Sequence, residues 1–265
     1  MKENAPEQRY VFDQDWEDER ARLVALQGVL DPHSISILEA CGIEPGWRCL
    51  DVGAGGGSLT RWICRRVAPS GSVLAVDLDV RMLSMVEESN LEVRQADLFS
   101  DDFPRAEFDL VHCRYVLEHL PERDRGLAQL IGAAKPGGMV VISDSGGRMP
   151  ELDQEDDVFT RGMQAFRDAV GQRGWDFDFA PTLAGRMRAS GLENVAGQVY
   201  RTHEIGSAEG WTQVVWYGFN RMREAMVATG LVSDAEVETI REFCHDPTRG
   251  QVSPETWTAW GRRPG

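Results

Sequence analysis

The sequence is poor in basic side chains and has no long apolar segment. Its 28 lysine and arginine residues are outnumbered by 43 aspartate and glutamate residues, which gives a formal net charge of -15. Because such a charge repels phosphate backbones and anionic headgroups, we expect neither nucleic acid nor a membrane as a partner. No stretch approaches the roughly 18 apolar residues that span a bilayer, and the polar N-terminus has no signal-peptide core. We therefore expect a cytoplasmic protein.

Signatures of disulfides and metal sites are also missing. The five cysteines include no C-x-x-C pair, and none is spaced from a histidine as zinc ligands are. We therefore expect reduced, buried thiols and no bound metal. The chain is long enough to bury the core of one α/β domain with an appended or inserted cap, since it has 265 residues of which 42% are hydrophobic.

From residue 48 onwards, short apolar runs alternate with helical segments, which is typical of βαβ units around a parallel sheet. The strands that this pattern predicts lie at 48–52, 72–76, 91–95, 108–113, 138–144, 194–201 and 252–260. The helices predicted between the first five strands include 58–67, 79–89 and 121–135. The sequence thus predicts an α/β fold with a doubly wound, mostly parallel, seven-stranded sheet.

Four regions are predicted in the chain. Residues 1–44 form an N-terminal helical lid whose two helices meet at Asp31-Pro32, and residues 45–144 form the core. Residues 145–181 interrupt the alternation with one helix and no strand, so we interpret them as a cap insertion. Residues 182–265 return to the sheet and add two more helices.

The first of these two helices carries an apolar stripe at helical spacing, formed by Trp211, Val215, Phe219, Met222 and Met226. Such a stripe is either helix core or the wall of an apolar pocket. One helix can also serve both purposes, and the sequence leaves these alternatives open.

The most informative segment runs from Leu50 to Ser58, with the sequence LDVGAGGGS. It follows a predicted strand and opens a predicted helix. Its glycines let the backbone turn tightly and approach a ligand, and the helix N-terminus offers unpaired N–H groups, so a nucleotide-like ligand is expected here. A dinucleotide-binding turn has the form G-x-G-x-x-G, and Ser58 stands at the position of its third glycine.

The D-x-G-x-G-x-G pattern resembles the first motif of the class I S-adenosylmethionine-dependent methyltransferases, and the later motifs of that family follow in order. Asp77 ends the second strand, where the family places the acid that binds the ribose hydroxyls. Asp97 follows the third strand, where the family places an acid near the adenine amine. FDLV at 108–111 and KPGG at 135–138 match the fourth-strand motif and the turn before strand five. The resemblance is strong over 48–144.

This resemblance implies a Rossmann-like fold, S-adenosyl-L-methionine as cofactor and a small-molecule methyl acceptor. Met82 would pack on adenine, and the backbone of Cys113 and Arg114 would line the cofactor. Tyr10, with Trp16, would close over the cofactor as part of the lid, and simple core packing is the alternative. The residues that the resemblance assigns to the cofactor are Tyr10, Asp51, Gly53, Ala54, Gly55, Gly57, Asp77, Leu78, Met82, Asp97, Leu98, Cys113 and Arg114.

The segment after strand four, CRYVLEHL at 113–120, would face the methyl group. Small-molecule methyltransferases that resemble ubiquinone and menaquinone biosynthesis enzymes often carry His-His where this chain has Glu118-His119, and cyclopropane-forming relatives carry Glu-His. His119 is the candidate base, since histidine has an ordinary pKa of about 6.5, and its alternative role is to order the turn before Pro121. Glu118 and Tyr115 complete the candidate catalytic set.

We expect a methyltransferase that acts on a small apolar or aromatic metabolite, and the sequence leaves a homo-oligomer open. Three alternative functions also stay open. An oxidoreductase would use NAD, but Ser58 and the lack of a Tyr-x-x-x-Lys set count against it. A second enzyme of the same fold would use the same cofactor for cyclisation or other chemistry without methyl transfer. A binding module would hold the cofactor and have no acceptor.

Overall fold

The computed structural model describes residues 16–100, 103–205 and 210–265, so the predicted lid residue Tyr10 lies outside the described residues. Within these ranges the strands are β1 (Arg48–Val52), β2 (Ser72–Asp77), β3 (Leu91–Gln95), β4 (Phe108–Arg114), β5 (Ala134–Ser145), β6 (Glu151–Leu152), β7 (Glu193–Tyr200), β8 (His203–Ile205), β9 (Gly250–Val252) and β10 (Thr256–Arg262). The α-helices are α1 (Trp16–Ala40), α2 (Ser58–Val67), α3 (Arg123–Ala133), α4 (Asp157–Gly171), α5 (Leu183–Ala189), α6 (Trp211–Ala228) and α7 (Asp234–His245). Short 3-10 helices cover Leu83–Met85, Leu117–His119 and Ala180–Thr182.

Seven strands form one sheet in the order β3-β2-β1-β4-β5-β10-β7. The pairs among β1 to β5 are parallel, and β10 is antiparallel to both β5 and β7. The neighbouring residues Cys49 and Leu50 of β1 enter two different apolar cores, so both faces of the sheet are covered. The predicted Rossmann-like, doubly wound sheet of seven mostly parallel strands is therefore confirmed.

The strand order reverses at β1, which lies between β2 and β4. Val52, the last residue of β1, is level with Val76 of β2 and Cys113 of β4. The carboxyl ends of the three strands therefore meet at the same edge of the sheet. In open α/β sheets this reversal point is where ligands bind.

Residues 16–40, within the region predicted to be a lid, form one long helix where the sequence predicted two. Helix α1 continues through Pro32, although proline removes one helical hydrogen bond and clashes with the preceding turn. Arg114 of β4 supports the helix on either side of this residue, with its guanidinium 2.9 Å from Asp31 Oδ1 and 2.9 Å from Ser34 Oγ. These tertiary contacts override the local preference for a helix end at Asp31-Pro32.

The helix predicted at 79–89 is also wrong, because only the 3-10 turn Leu83–Met85 forms there. Asp79 Oδ1 accepts the N–H of Arg81 at 3.0 Å, and the N–H of Asp79 is itself bound to Asp77 Oδ1 at 3.0 Å. Aspartates that bind backbone groups two residues away compete with helix formation. The segment therefore stays a loop at the end of β2.

Helices α4, α6 and α7 build a second apolar core apart from the sheet. Next to it, β6, β9 and β8 form a small antiparallel sheet. The prediction of no strand in 145–181 is therefore wrong for Glu151–Leu152, and the last strand of the large sheet begins at Thr256 because Gly250–Val252 pairs in the small sheet. Helix α7 opens with a capping box, in which Ser233 and Glu236 bind each other's backbone N–H groups.

All five cysteines are buried and free, as the sequence predicted. In the part of the chain that the structure describes, no helix combines the length and apolar character that a bilayer crossing needs. The same residues contain no cluster of three or more acidic, histidine or cysteine side chains suited to a metal ion.

Candidate active site

A cavity of about 510 Å³ opens at the carboxyl ends of β1, β2 and β4. Residues 53–56, 76–79, 96–98 and 114–116, which end or follow the four strands β1 to β4, line one part of it. Side chains of α1, α4 and α6, and of the segments after β4, β5 and α4, line most of the rest. The cavity therefore lies between the sheet and the helices above its edge, at the point where the strand order reverses.

The glycine-rich turn gives this cavity a wall of bare backbone. Gly53 has φ of +70°, and a Cβ there would lie 2.2 Å from Val116 Cγ2. Gly57 has φ of +75°, and a Cβ there would lie 2.5 Å from Val86 Cγ2. Both positions therefore require glycine, for conformation and for space. The turn lies close to the loop after β4 on one side and to the loop after β2 on the other.

Asp77 connects this turn to the end of β2. The N–H of Gly55 donates to Asp77 Oδ2 at 2.8 Å, so the carboxylate is held against the glycine backbone. Burial raises the pKa of Asp77, and the hydrogen bonds from the N–H groups of Asp79 and Gly55 act in the opposite direction. Asp97 lies at the end of β3, more exposed, and accepts the N–H of Phe99 at 2.8 Å.

The structure brings twelve of the predicted site residues to one cavity, namely Gly53, Ala54, Gly55, Asp77, Leu78, Met82, Asp97, Leu98, Arg114, Tyr115, Glu118 and His119. Among the described residues, Asp51, Gly57 and Cys113 do not line it. Asp51 binds Thr60 and His112 behind the turn. Gly57 packs against the β2 loop, and Cys113 is fully buried in the core.

Tyr115 follows β4 in the left-handed region, with φ of +57°, which is uncommon for a residue with a side chain. Its N–H donates to the carbonyl oxygen of Ser143 at 2.7 Å, and its hydroxyl is 2.7 Å from Thr256 Oγ1. Burial and the nearby Glu118 raise the pKa of the phenol. Tyr115 is therefore a neutral, fixed part of the wall at neutral pH.

Glu118 and His119 lie in the 3-10 turn that follows. Glu118 is fully buried, and only 7% of the His119 side chain is exposed. Ser145 N–H donates to Glu118 Oε2 at 2.5 Å, and His119 Nε2 is 3.3 Å from Glu118 Oε1. Burial lowers the pKa of His119 to about 3, and the positive charges of Arg22 and Arg123 add to the shift. The imidazole is therefore neutral at physiological pH.

Sequence reasoning missed Asp144 as a site residue. It is fully buried at the end of β5, and its Oδ1 accepts the N–H of Val116 at 3.0 Å. Burial raises the pKa of Asp144 to about 7. It also raises the pKa of Glu118 well above its ordinary value, and the charge of Asp144 adds to that shift. The signal that could have found Asp144 is its place at the end of a strand that pairs with β4.

Aromatic side chains form the part of the cavity away from the glycine turn. The rings of Trp175 and Phe177 stack with centroids 5.3 Å apart, as do those of Phe166 and Phe219. His119 meets Trp175 edge to face at 4.5 Å. All five residues line the cavity, and the four aromatic residues come from α4, α6 and the loop after α4.

The apolar stripe of α6 serves both purposes that the sequence left open. Trp211, Val215 and Phe219 line the cavity, whereas Met222 and Met226 lie in the second apolar core. Helix α6 is also joined to α1, because the buried Glu19 of α1 binds Arg22, at 2.8 Å, and Arg221 of α6. Glu19 and Arg22 line the cavity, so this ion cluster forms part of its roof.

The family of proteins described as "Methyltransferase domain" matches residues 8–196 of the chain. Because this match spans more than half of the 265 residues, the chain belongs to the methyltransferase-domain family. The family that the glycine turn and the later motifs predicted is thereby confirmed.

Among curated proteins, the chain is 28% identical over 124 residues to the ubiquinone/menaquinone biosynthesis C-methyltransferase UbiE of Ralstonia pickettii, covering 44% of this chain and 51% of that protein. It is 31% identical over 113 residues to UbiE of Pseudomonas paraeruginosa, covering 40% of this chain and 44% of that protein. The chain thus spans about half the length of the curated relatives that it matches.

Solved structures share the fold. The YcgJ protein of Bacillus subtilis superimposes with a TM-score of 0.57 at 18% identity, covering 88% of this chain and 99% of that one. Phosphoethanolamine N-methyltransferase 2 of Haemonchus contortus, solved with S-adenosyl-L-methionine, gives a TM-score of 0.56 at 17% identity, covering 88% and 53%. At these identities the likeness concerns the fold alone.

Proposed function

We propose that the chain binds S-adenosyl-L-methionine and transfers its methyl group to a small apolar or aromatic metabolite. The observation that carries this proposal is one cavity with two chemically different parts. The glycine turn and Asp77 line one part, and the aromatic residues around Trp175 line the other. The relatives are C-methyltransferases and the Haemonchus contortus enzyme was solved with S-adenosyl-L-methionine, which supports the same reaction and the same cofactor.

The residues at the glycine end fit such a cofactor. Bare backbone at Gly53, Gly55 and Gly56 leaves room for a ligand that a side chain would hold off. Asp77 offers two acceptor oxygens to the two vicinal hydroxyls of a ribose, and Asp97 offers an acceptor to an amine. Met82 and Leu98 supply apolar surface for a purine ring.

S-adenosyl-L-methionine, when bound, would supply a methyl group on a sulfonium; an acceptor nucleophile would attack the methyl carbon in line, and S-adenosylhomocysteine would leave. Most of the acceleration is then available from holding the acceptor in the reactive position and excluding water. The aromatic part of the cavity excludes water, and Arg114 fixes α1 above it through Asp31 and Ser34.

His119 is a poor proton acceptor in this environment, because its charged form is disfavoured by burial and by two nearby arginines. We propose that it orders the turn before Pro121, the alternative role that the sequence left open, and that it also positions the acceptor beside Trp175. Tyr115, whose hydroxyl is bound to Thr256, acts as a fixed wall between β4 and the acceptor.

The composition supports a small molecule over a nucleic acid, since the net charge is -15. Free, buried thiols are typical of a reducing compartment, and we propose the cytoplasm.

The test is the formation of S-adenosylhomocysteine from methyl-labelled S-adenosylmethionine in the presence of phenols, aromatic ketones and apolar amines. We expect label in at least one acceptor, with a rate that falls at least about tenfold in Asp77→Asn because the site loses a charged acceptor. Asp124→Asn, an exposed acid of α3, is the matched control and keeps the wild-type rate.

Two outcomes contradict the proposal. Binding of S-adenosylmethionine with no label in any acceptor favours the alternative of cyclisation or other non-methylating chemistry. A rate that is equal in both variants means that Asp77 does not hold the cofactor.

A further inference from the structure

At the edge of the cavity, the side chains of Glu118 and Asp144 each accept a backbone N–H from the segment that carries the other. Both side chains belong to fully buried residues, with 0% exposure. Glu118 Oε2 accepts the N–H of Ser145, which follows Asp144, at 2.5 Å. Asp144 Oδ1 accepts the N–H of Val116, in the turn that carries Glu118, at 3.0 Å. The loop after β4 and the end of β5 are thus locked together by two carboxyl groups.

Two neighbouring carboxyl groups at this depth do not both ionise at neutral pH, because each charge is desolvated and repels the other. Their hydrogen bonds decide which one keeps the proton. Asp144 Oδ1 accepts the N–H of Val116 at 3.0 Å, and the nearby N–H groups of Leu117 and Glu118 also act to lower the pKa of Asp144, because they stabilise its negative charge. The charged form of Glu118 is stabilised by the N–H and hydroxyl of the single residue Ser145, and by the positive charge of Arg22. The proton therefore stays on Glu118.

The other charged and titratable groups around the pair do not reverse this assignment; they are Arg22, Cys113, Tyr115, His119 and Arg123. Arg22 of α1 is engaged by Glu19, and Arg123 of α3 donates to the backbone oxygen of Glu118 rather than to its carboxyl group. His119 is neutral, and burial raises the pKa of the thiol of Cys113 and of the phenol of Tyr115.

One oxygen of Glu118 is left to face a ligand. Oε2 is held by Ser145, whereas Oε1 makes no hydrogen bond among the described residues, because His119 Nε2 lies 3.3 Å away without hydrogen-bond geometry. Glu118 lines the cavity beside His119 and Trp175. A buried polar atom without a partner costs free energy unless a ligand supplies the partner. A carboxylic acid held neutral in an apolar site is a hydrogen-bond donor to a developing negative charge on oxygen.

We propose that Glu118 works as a neutral acid, that Asp144 is the positioning residue that keeps it neutral, and that Glu118 Oε1–H donates to a carbonyl or enolate oxygen of the methyl acceptor. The acceptor class is therefore an aromatic or apolar metabolite with such an oxygen beside the methylated atom. The acceptor part of this proposal rests on the proposed function. The protonation of Glu118 does not, since it concerns the chain alone.

The first test is infrared spectroscopy of the protein without added ligand at about pH 8, where Asp144 has lost its proton. We expect a carbonyl band of a protonated carboxyl group that disappears in Glu118→Gln and stays in Glu242→Gln, an exposed control in α7. In Asp144→Asn the titration midpoint of this band moves down by about 1 pH unit or more, because the neighbouring negative charge is gone. A purely structural role of Asp144 would leave the midpoint in place.

A band that is absent from the wild type, or that survives Glu118→Gln, overturns the assignment of the proton. An unchanged midpoint in Asp144→Asn overturns the role of Asp144.

The second test compares the binding of acetophenone and α-methylstyrene, which have nearly the same shape but differ in a carbonyl oxygen. We expect the wild type to prefer acetophenone about five-fold, as one hydrogen bond allows. Glu118→Gln keeps a donor and keeps the preference, whereas Glu118→Leu loses it while still binding α-methylstyrene. Equal binding of both probes by the wild type, binding of neither, or a preference that survives Glu118→Leu overturns the acceptor assignment. Because no cofactor is present, these results are independent of whether methyl transfer is observed.

Discussion

His112 Nδ1 lies 2.8 Å from Asp51 Oδ1, across the neighbouring strands β4 and β1. The other oxygen of Asp51 accepts the hydroxyl of Thr60 in α2 at 2.6 Å. All three side chains are buried. The strand before the glycine turn is thus joined to β4 and to the helix after the turn, so that the turn is fixed at both of its ends.

Thr60→Val tests this arrangement, because valine keeps the shape of threonine and removes the hydroxyl donor. We expect the free energy of unfolding to fall by about 1–3 kcal/mol, since a buried carboxylate loses a partner. Chemical denaturation measures the change, and Thr239→Val, at a half-buried position in α7 where the hydroxyl binds only the backbone oxygen of Ala235, is the control with little effect. If both variants have the same stability, the Asp51 cluster does not hold the turn.

Gly53→Ala tests the requirement for glycine at the start of the turn. The φ of +70° and the contact of the new Cβ with Val116 predict a loss of about 1–3 kcal/mol in stability and weaker binding of S-adenosylmethionine. Gly132→Ala is the matched control, because it lies inside α3 with no atom within 4 Å of the added carbon. There we expect a gain of about 0.5–1 kcal/mol. Equal effects at the two positions would show that backbone strain does not explain Gly53.

Glu19→Gln tests the ion cluster that joins α1 to α6. The variant removes the negative charge between two buried guanidinium groups, of Arg22 and Arg221, and we expect a loss of about 3–5 kcal/mol in the free energy of unfolding. We also expect weaker cofactor binding, because α1 lines the cavity. Glu17→Gln, exposed in the first turn of α1, should change stability by less than about 0.5 kcal/mol. A Glu19 variant as stable as the Glu17 variant would contradict this account of the roof.

The Glu118 and Asp144 pair predicts a pH dependence of stability. Both pKa values are raised in the folded state, so the stabilising contribution is full below the ordinary values of 4.5 and 3.8. It is lost as the pH rises through about 7, to which burial raises the pKa of Asp144. We expect the free energy of unfolding to fall from pH 5 to pH 8, by up to about 1.4 kcal/mol per pH unit for each proton released. The slope should be smaller in Glu118→Gln than in Glu242→Gln, and equal slopes would be evidence against the raised pKa values.

The sequence predicts the glycine turn and the end of β2 well, because both depend on local requirements. Gly53 must adopt a positive φ, and Asp77 must follow a buried strand. The strand positions follow from apolar runs whose length and spacing leave few alternatives.

Other features depend on residues that are distant in sequence. Pro32 stays inside α1 because Arg114, which is 83 positions from Asp31, holds the helix there. Asp144 becomes a site residue only through the pairing of β5 with β4. Asp51 matches the family motif, but its oxygens bind Thr60 and His112, and no pattern in the sequence indicates that they turn away from the cavity.

The most direct test of the central claim is a calorimetric titration of the wild type, Asp77→Ala and Asp124→Ala with S-adenosylmethionine and, separately, with NAD. We predict that the wild type and Asp124→Ala bind S-adenosylmethionine with equal affinity, that Asp77→Ala binds it at least about tenfold more weakly, and that none binds NAD. Preference for NAD would make Gly53 to Gly57 a dinucleotide-binding turn, and equal affinity in all three proteins would place the cofactor away from Asp77.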